Sequence, residues 1–358
     1  MQPERLHKLL RDVFQPTPDE TALVIVDVPA DPAADHAAWQ DRRRMAEEWR
    51  HGFAGLGMQV APLLTFAATG SNNADLPAEA ESAGVACPLR DAIRAANIVV
   101  AMTEFSATAP LSRLVQETPT LRAASMPGVL RRMEKTALAA DYAEVARRVH
   151  LLAERLEGAD SAELTFATGH VVRFDLRHRR GLGDDGQCLR DRGHRLINLP
   201  SGEAFIVPYE GERPGEASGT EGEIPVQEPD GRVVFQVKEN RIVAVTGDRE
   251  AAARLEVWFR EDPARANVAE LGLGCNPAAA VLGSVLEDEK AGLHWAYGRS
   301  EHLGGVTGPE AFRDPRNVIH QDIVYAPGCP IEADRLVLEG ASGSEEILRG
   351  NRYTILPV

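Results

Sequence analysis

The chain has 358 residues, of which 44% are hydrophobic and 26% charged, as is ordinary for a globular protein with a buried core. Its formal net charge is −15, so nucleic acids and anionic membranes would be repelled over most of its surface. We therefore predict neither nucleic acid nor membrane as a partner.

The cysteines and the N-terminus indicate a cytoplasmic protein. The four cysteines are widely spaced and form no C-x-x-C pair, which argues against a disulfide framework and a zinc ribbon. The first residues, MQPERLHKLLRDVF, lack the apolar core of a signal peptide. No apolar run approaches the roughly 18–20 residues of a membrane span.

The first part of the chain alternates between predicted strands and helices. The predicted elements are a helix over residues 1–15, a buried strand over 21–29, a helix over 36–53, a strand over 58–66, a helix then a strand over 91–105, a further edge of the same layer over 114–128, and a long helix over 129–157. This alternation predicts an N-terminal α/β domain over residues 1–157.

The rest of the chain, from about Gly158, is richer in predicted strands. Residues 161–179 alternate apolar and polar positions around ATGH, and residues 232–247 do so around Glu239-Asn240, so each predicts a hairpin. Residues 248–262 predict an amphipathic helix whose apolar stripe is Ala252, Leu255, Val257, Trp258 and Phe259. We predict a strand-rich α+β, metal-binding catalytic domain over residues 158–358.

Several common catalytic motifs are missing from the sequence. It has no HExxH zinc motif, no GxSxG nucleophile elbow and no Walker loop. The run GLGCNP at 272–277 lacks the third glycine of a dinucleotide-binding loop. The chemistry must therefore be sought in isolated donors.

Carboxylates and histidines stand at the ends of short apolar runs. Glu203 follows a Pro-Ser-Gly turn, and Glu270 lies among apolar residues and glycines, where a carboxylate is costly to bury unless it is paired or metal-bound. His294 lies on a predicted strand. His320 and Asp322 are two residues apart on another strand, so both side chains point to one face. We predict a divalent-metal site.

This donor set leaves two kinds of metal enzyme open. Two histidines with three carboxylates match the ligands of a two-metal hydrolase. Two histidines with one carboxylate match the facial triad of mononuclear iron(II) oxygenases. The residue types alone do not choose between the two.

The segments NLPSGEAF, AELGLGCNP, DEKAGLHWAYG and NVIHQD resemble, in order and approximate spacing, the signature segments of the aminopeptidase T family of metallopeptidases. The resemblance covers about Glu163 to Tyr325. It implies a two-domain homodimer with two zinc-, cobalt- or manganese-type ions and a small-molecule or short-peptide substrate. The metal ligands it implies are Glu203, Glu270, His294, His320 and Asp322.

The sequence departs from the peptidases at one position. They carry a tyrosine seven residues after the histidine matched to His294, where this chain has Glu301 followed by His302. In this respect the chain is similar to a divergent branch that includes 2,5-dihydroxypyridine dioxygenase, which implies a single iron(II). That ion would be bound by His320, Asp322 and either His294 or His302.

Three hypotheses follow for the activity. The first is a metal-dependent hydrolase, in which Glu203 or Glu301 is the base and His302 a substitute ligand or acid/base group. In it, Lys290 would stabilise an oxyanion or meet a substrate carboxylate, unless it simply pairs with Glu287 or Glu289. The second is an iron(II) dioxygenase of hydroxylated pyridine-like rings. The third is a non-catalytic scaffold that binds a metal or a partner.

Overall fold

A computed structural model describes residues 1–191 and 193–357. Its α-helices are α1 (Pro3–Phe14), α2 (Ala37–Gly55), α3 (Leu89–Arg94), α4 (Thr108–Glu117), α5 (Tyr142–Glu157), α6 (Arg249–Glu261) and α7 (Val285–Asp288). Its strands are β1 (Thr21–Val28), β2 (Gln59–Val60), β3 (Leu64–Ala67), β4 (Glu79–Ser82), β5 (Val85–Pro88), β6 (Ile98–Met102), β7 (Arg122–Ser125), β8 (Ser161–Phe166), β9 (Val171–Asp175), β10 (Leu182–Asp184), β11 (Leu196–Asn198), β12 (Glu203–Ile206), β13 (Glu221–Glu228), β14 (Gly231–Lys238), β15 (Arg241–Gly247), β16 (Val268–Gly274), β17 (Leu293–Gly298), β18 (His320–Val324), β19 (Ala333–Gly340), β20 (Gly343–Arg349) and β21 (Arg352–Tyr353).

The chain divides into two compact units that are each built from several segments. One comprises Met1–Arg147, Asp184–Gly202 and Asn276–Ala280, and the other comprises Arg148–Gly183, Glu203–Cys275 and Val281–Val358. The division into domains at residue 157 stays a prediction. No helix in the described residues is long and apolar enough to span a bilayer.

The first unit contains a largely parallel sheet of eight strands. Its order is β11-β7-β6-β1-β3-β4-β5, with β2 beside β1, and only β4 and β5 run antiparallel to their neighbours. Residues 22–27 of β1 are all buried, as the unbroken apolar run predicts for a strand covered on both faces. The predicted α/β character is confirmed.

Three predicted elements of this unit are corrected. The predicted strand over 58–66 is two short strands separated by Pro62, which has no backbone N–H for the sheet. Residues 114–128 hold the end of α4 and then β7. The predicted helix over 129–157 begins only at α5, because Asp141 accepts a hydrogen bond from the backbone N–H of Ala143 (3.1 Å) and starts the helix there. Residues 131–139 form short 3₁₀ turns instead.

The second unit contains an eight-stranded antiparallel sheet in the order β15-β14-β13-β9-β8-β19-β20-β21. Both predicted hairpins are present: β8 pairs with β9, and β14 pairs with β15. Glu239 and Asn240 connect the second hairpin with φ of 50° and 62°, which is the backbone geometry of a tight two-residue turn.

Helix α6 covers part of this unit much as its sequence predicts. Asp248 caps its first turn by accepting from the backbone N–H groups of Glu250 and Ala251. Ala252, Leu255 and Phe259 are buried as expected, but Val257 is 48% exposed and does not belong to the apolar face.

A second sheet of five strands, in the order β10-β12-β16-β17-β18, carries the predicted metal ligands. Its strands β12, β16, β17 and β18 pair antiparallel. Strands β16 and β17 are buried along their whole length.

Candidate metal centre

The five-stranded sheet brings all five predicted ligands together. Glu203 begins β12, Glu270 lies in β16, His294 in β17, and His320 with Asp322 in β18. Because side chains alternate between the faces of a strand, His320 and Asp322 share a face, as predicted. Together with Glu203, Glu270 and His294, they form the cluster that we call the donor cluster.

Small residues opposite the donors leave space for their side chains. Gly272 pairs with His294, Ala296 with Asp322, and Gly298 with His320 in the register of adjacent strands. A β-carbon at Gly272 would overlap the imidazole of His294. The alternation Glu-x-Gly-x-Gly along β16 therefore keeps one carboxylate and removes the side chains that would fill the site.

The donor cluster consists of two groups of three residues that share Glu270. One group is Glu203, Glu270 and His294, which we call the inner triplet. The other is Glu270, His320 and Asp322, which we call the outer triplet. In each triplet the donor atoms all lie within 4.8 Å of one another. Nε2 of His294 is 3.6 Å from Oε1 of Glu270, and Nε2 of His320 is 3.0 Å from its Oε2.

Both histidines present Nε2 to the carboxylates. Nδ1 of His320 lies 2.7 Å from the carbonyl oxygen of Arg299, and Nδ1 of His294 lies 3.3 Å from that of Gly292. Since a carbonyl oxygen only accepts, each Nδ1 carries the proton and donates it. In the neutral ring, Nε2 then has a free electron pair. Histidines that bind metals are commonly oriented in this way, by donating the other ring N–H to a backbone carbonyl.

The charges in the donor cluster depend strongly on one another. Burial opposes the ionisation of Glu203 and Glu270. Lys290 and His294 outweigh this effect at Glu203, and His294 and His320 outweigh it at Glu270. Both pKa values therefore fall to about 2. Burial also lowers the pKa of both histidines, yet the neighbouring carboxylates hold it well above 6.5. Without a metal ion, the carboxylates therefore retain protons on the rings.

A buried lysine closes one end of the donor cluster. Lys290 is completely buried, and its ammonium group contacts Oε1 of Glu203 and lies 2.7 Å from Oε1 of Glu289. Burial, followed by the nearby charges of Glu203 and Asp322, raises the pKa of Glu289 to about 8 against the opposing effect of Lys290. The predicted pairing of Lys290 with Glu289 is thus present, but Glu203 is a second partner.

The donor cluster fits a divalent cation. Oε2 of Glu203 is buried without a hydrogen-bond partner and lies 3.3 Å from Nε2 of His294. Such an orphaned carboxylate oxygen beside an imidazole nitrogen is costly unless a cation or a proton lies between them. Carboxylate oxygens and imidazole nitrogens are ligands of zinc, manganese and iron(II).

Glu301 and His302 lie beside the outer triplet rather than within it. The ring of His302 is edge-on to that of His320, with centroids 5.0 Å apart. Although His302 is exposed, desolvation by its surroundings and the charges of His320 and Arg299 lower its pKa to about 4. Glu301 is exposed and forms an ion pair with Arg299 at 2.6 Å.

Tyr297 does not replace the tyrosine of the peptidases. Tyr297 lies two residues after Trp295 on β17, so these two side chains share one face of the sheet. His294 lies on the opposite face. Its ring packs against Phe235, Trp258 and Phe259, with centroids 5.6–6.1 Å apart. Tyr297 therefore belongs to an aromatic core.

The loop that carries His302 is held by Glu210, a carboxylate that no sequence pattern singles out. Glu210, whose side chain is only 4% exposed, accepts hydrogen bonds from Ser300 Oγ (2.8 Å), Thr307 Oγ1 (2.6 Å) and the backbone N–H of Val306 (2.6 Å). Asn267 also donates to it at 2.9 Å. Both ends of the loop 300–307 are thereby held to one side chain.

Comparison with known proteins places these observations in a family. A family model described as NicX, 2,5-dihydroxypyridine 5,6-dioxygenase, matches residues 38–324, a range that includes the whole donor cluster. The chain belongs to the NicX family. A search of curated proteins finds no match.

Two solved structures share the fold of this NicX family member. The 2,5-dihydroxypyridine dioxygenase of Pseudomonas putida KT2440 is 16% identical, with a TM-score of 0.66 over 99% of this chain and 96% of that chain. Wild-type AmpT of Thermus thermophilus is 13% identical, with a TM-score of 0.59 over 99% of both chains. The fold expected from the resemblance is confirmed, and so is the branch that includes the dioxygenase.

Proposed function

We propose that this protein is an iron(II)-dependent dioxygenase that opens a hydroxylated pyridine-like ring. The observation that carries the proposal is the NicX family match over residues 38–324, which contains every residue of the donor cluster. This reverses the order of the first two hypotheses from the sequence, because the family match favours the dioxygenase over the hydrolase.

The outer triplet is the proposed iron site. Its side chains keep some contact with solvent, since His320 is 19% and Asp322 is 12% exposed, whereas His294 is only 1% exposed. An iron(II) ion there would supply the redox chemistry by which dioxygen is activated toward an aromatic ring. The second imidazole of a facial triad would come from His294, whose Nε2 lies 3.6 Å from Oε1 of Glu270.

His302 is the proposed hydrogen-bond acceptor for a substrate hydroxyl. Its ring lies beside His320 and is neutral near pH 7 because its pKa is lowered to about 4, so that one ring nitrogen can accept the hydrogen bond of a substrate hydroxyl. Glu301 is tied to Arg299 by an ion pair, which makes it the weaker candidate for this role.

Oxygen uptake tests this function directly. Protein reconstituted with iron(II) under anaerobic conditions is mixed with 2,5-dihydroxypyridine in aerated buffer, and oxygen and ring absorbance are followed together. The proposal predicts one dioxygen consumed per ring opened. His302→Gln should lower kcat while leaving iron binding intact, whereas His320→Ala should abolish both. If the protein consumes no oxygen with any of the dihydroxypyridines tested, the proposal is contradicted.

A metal-dependent hydrolase is the second candidate, and one observation favours it. The inner and outer triplets share Glu270, one oxygen facing each histidine, as a carboxylate that bridges two ions would. In this function Glu203 would be a ligand or the base that handles the proton of an attacking water. Zinc- or cobalt-dependent release of an amino acid from an aminoacyl-anilide would support it.

The remaining predictions concern the setting of the enzyme. A small-molecule substrate agrees with the NicX family. Assembly into a homodimer and a cytoplasmic location stay predictions from the sequence and the resemblance. Sedimentation of the purified protein measures the first of these.

A further inference from the structure

The two triplets differ in the positive charge that the protein itself provides. At the inner triplet, the ammonium group of Lys290 contacts Glu203 and reaches Glu289 at 2.7 Å. Lys290 is completely buried, so solvent screens this charge little. The inner carboxylate therefore already has a permanent cation as its neighbour.

The outer triplet has no such cation in the described part of the chain. The ion-pair partners of Glu270 are His294 and His320, and that of Asp322 is His320. Arg299, whose carbonyl oxygen contacts Nδ1 of His320, directs its guanidinium to Glu301. Among the described residues, no lysine or arginine forms an ion pair with either of the carboxylates that contact His320.

Access to solvent differs in the same sense. The difference lies in the histidines, since the inner His294 is 1% exposed and the outer His320 is 19% exposed, while the carboxylates Glu203 and Asp322 are alike at 11% and 12%. A catalytic ion requires an open coordination position, while a closed position is suited to a structural charge. Charge and access therefore both direct a catalytic ion to the outer triplet.

We propose that the ammonium group of Lys290 takes the place of a second divalent ion, so that the donor cluster binds one ion, at the outer triplet. Glu203 then serves as the partner of Lys290 and of His294 rather than as a metal ligand. A divalent ion on Oε2 of Glu203 would lie close to the ammonium group on Oε1, and the two like charges would repel in a buried site. Lys290 is thus the residue that sets the number of ions.

The proposal rests on the metal-dependent function proposed above, and metal counting tests it without an activity assay. Protein freed of metal by a chelator is titrated with manganese(II), and binding is followed by calorimetry and by elemental analysis after gel filtration. The wild type should bind one ion per chain. Lys290→Ala removes the ammonium group, frees Oε1 of Glu203 and opens space beside it, so this variant should bind two.

Two further variants keep the test decisive. Lys238→Ala removes an exposed lysine of β14 and should still bind one ion. Glu203→Gln should bind one ion with an affinity within about threefold of the wild type, since Glu203 is not a ligand in this proposal. If Lys290→Ala does not fold, the wild-type count and the Glu203→Gln titration decide.

The contradicting results are distinct from a failure of the dioxygenase function. Two ions on the wild type would overturn the role of Lys290, as would a fall from two ions to one in Glu203→Gln. A folded Lys290→Ala that binds a single ion would also overturn it. One ion on the wild type without any oxygen uptake would instead contradict the dioxygenase and leave the role of Lys290 in place.

Discussion

Gly272 lies directly opposite His294 on adjacent antiparallel strands, and only the missing side chain of Gly272 makes room for the imidazole ring. Both residues belong to the face of the sheet that carries Glu270. The position of His294 therefore depends on a residue that donates nothing to a metal.

Gly272→Ala should displace His294 and weaken metal binding at least about tenfold, in the range seen when groups that orient a ligand are lost. Its β-carbon would overlap the ring of His294, and the backbone of β16 is buried and cannot move away cheaply. Manganese(II) titration measures the effect. Gly158→Ala is the matched control, because its nearest neighbours would be carbonyl oxygens at ordinary contact distances of 3.7 and 3.8 Å. Equal affinity for Gly272→Ala and wild type would contradict this role.

Glu270→Gln should abolish metal binding in the micromolar range, because Glu270 belongs to both triplets. The amide keeps the shape of the side chain but removes the charge that faces both histidines. Calorimetry with manganese(II) checks this, and Glu256→Gln on the exposed side of α6 serves as the control. Retention of tight binding by Glu270→Gln would show that the ion is held elsewhere.

The sequence predicted which donor residues lie together better than it predicted their surroundings. His320 and Asp322 could be assigned to one face because the period of a strand is two residues, and Glu270 could be selected because a carboxylate among apolar residues needs a partner. Gly272 and Gly274 could have been included by the same period, since they follow Glu270 at every second position.

Other parts of the site depend on contacts between distant segments. Glu203 and Lys290 are 87 residues apart, and Glu210 is 90 residues from Ser300. No local sequence pattern can therefore predict either contact. The 3₁₀ turns over residues 131–139 were missed for a related reason, because composition alone favoured helix there. Packing between elements, rather than local propensity, decides such positions.

The stability of the metal-free protein should fall as the pH rises above 6.5. Burial lowers the pKa of His320, but Asp322 and Glu270 hold it well above its ordinary value of 6.5 in the folded state. The stabilisation that the charged His320 gives to the folded state is therefore complete below pH 6.5, and it is lost as the pH rises through the pKa of His320 in the folded protein. Glu270, whose pKa is lowered from 4.5 to about 2, gives the opposite loss as the pH falls through that range.

Thermal unfolding in a chelating buffer checks this pH dependence. The Tm of the metal-loaded protein should instead rise with pH, because deprotonated histidines bind metal more strongly. The difference in Tm between loaded and metal-free protein should therefore widen as the pH rises. His320→Gln should flatten the decline of the metal-free protein. A metal-free Tm that rises as the pH increases above 6.5 would contradict the assignment of protons to these rings.

Glu210→Gln should loosen the loop 300–307 and weaken metal binding about tenfold without unfolding the protein. Glu210 holds Ser300, next to Arg299, whose carbonyl oxygen orients His320. Hydrogen exchange of the loop and manganese(II) titration measure the two effects. Glu212→Gln is a close control, because Glu212 shares Arg179 with Glu210 but has no hydrogen bond to the loop. Faster exchange with unchanged affinity would limit Glu210 to a structural role.

Anomalous diffraction from crystals grown with iron(II) under anaerobic conditions would locate the ion. We expect a single peak at the iron edge, bounded by Glu270, His320 and Asp322, with ligand bonds of roughly 2.0–2.2 Å. The ammonium group of Lys290 should remain against Glu203 in the same crystals. A second peak between Glu203 and His294, or no peak near the donor cluster, would contradict this expectation.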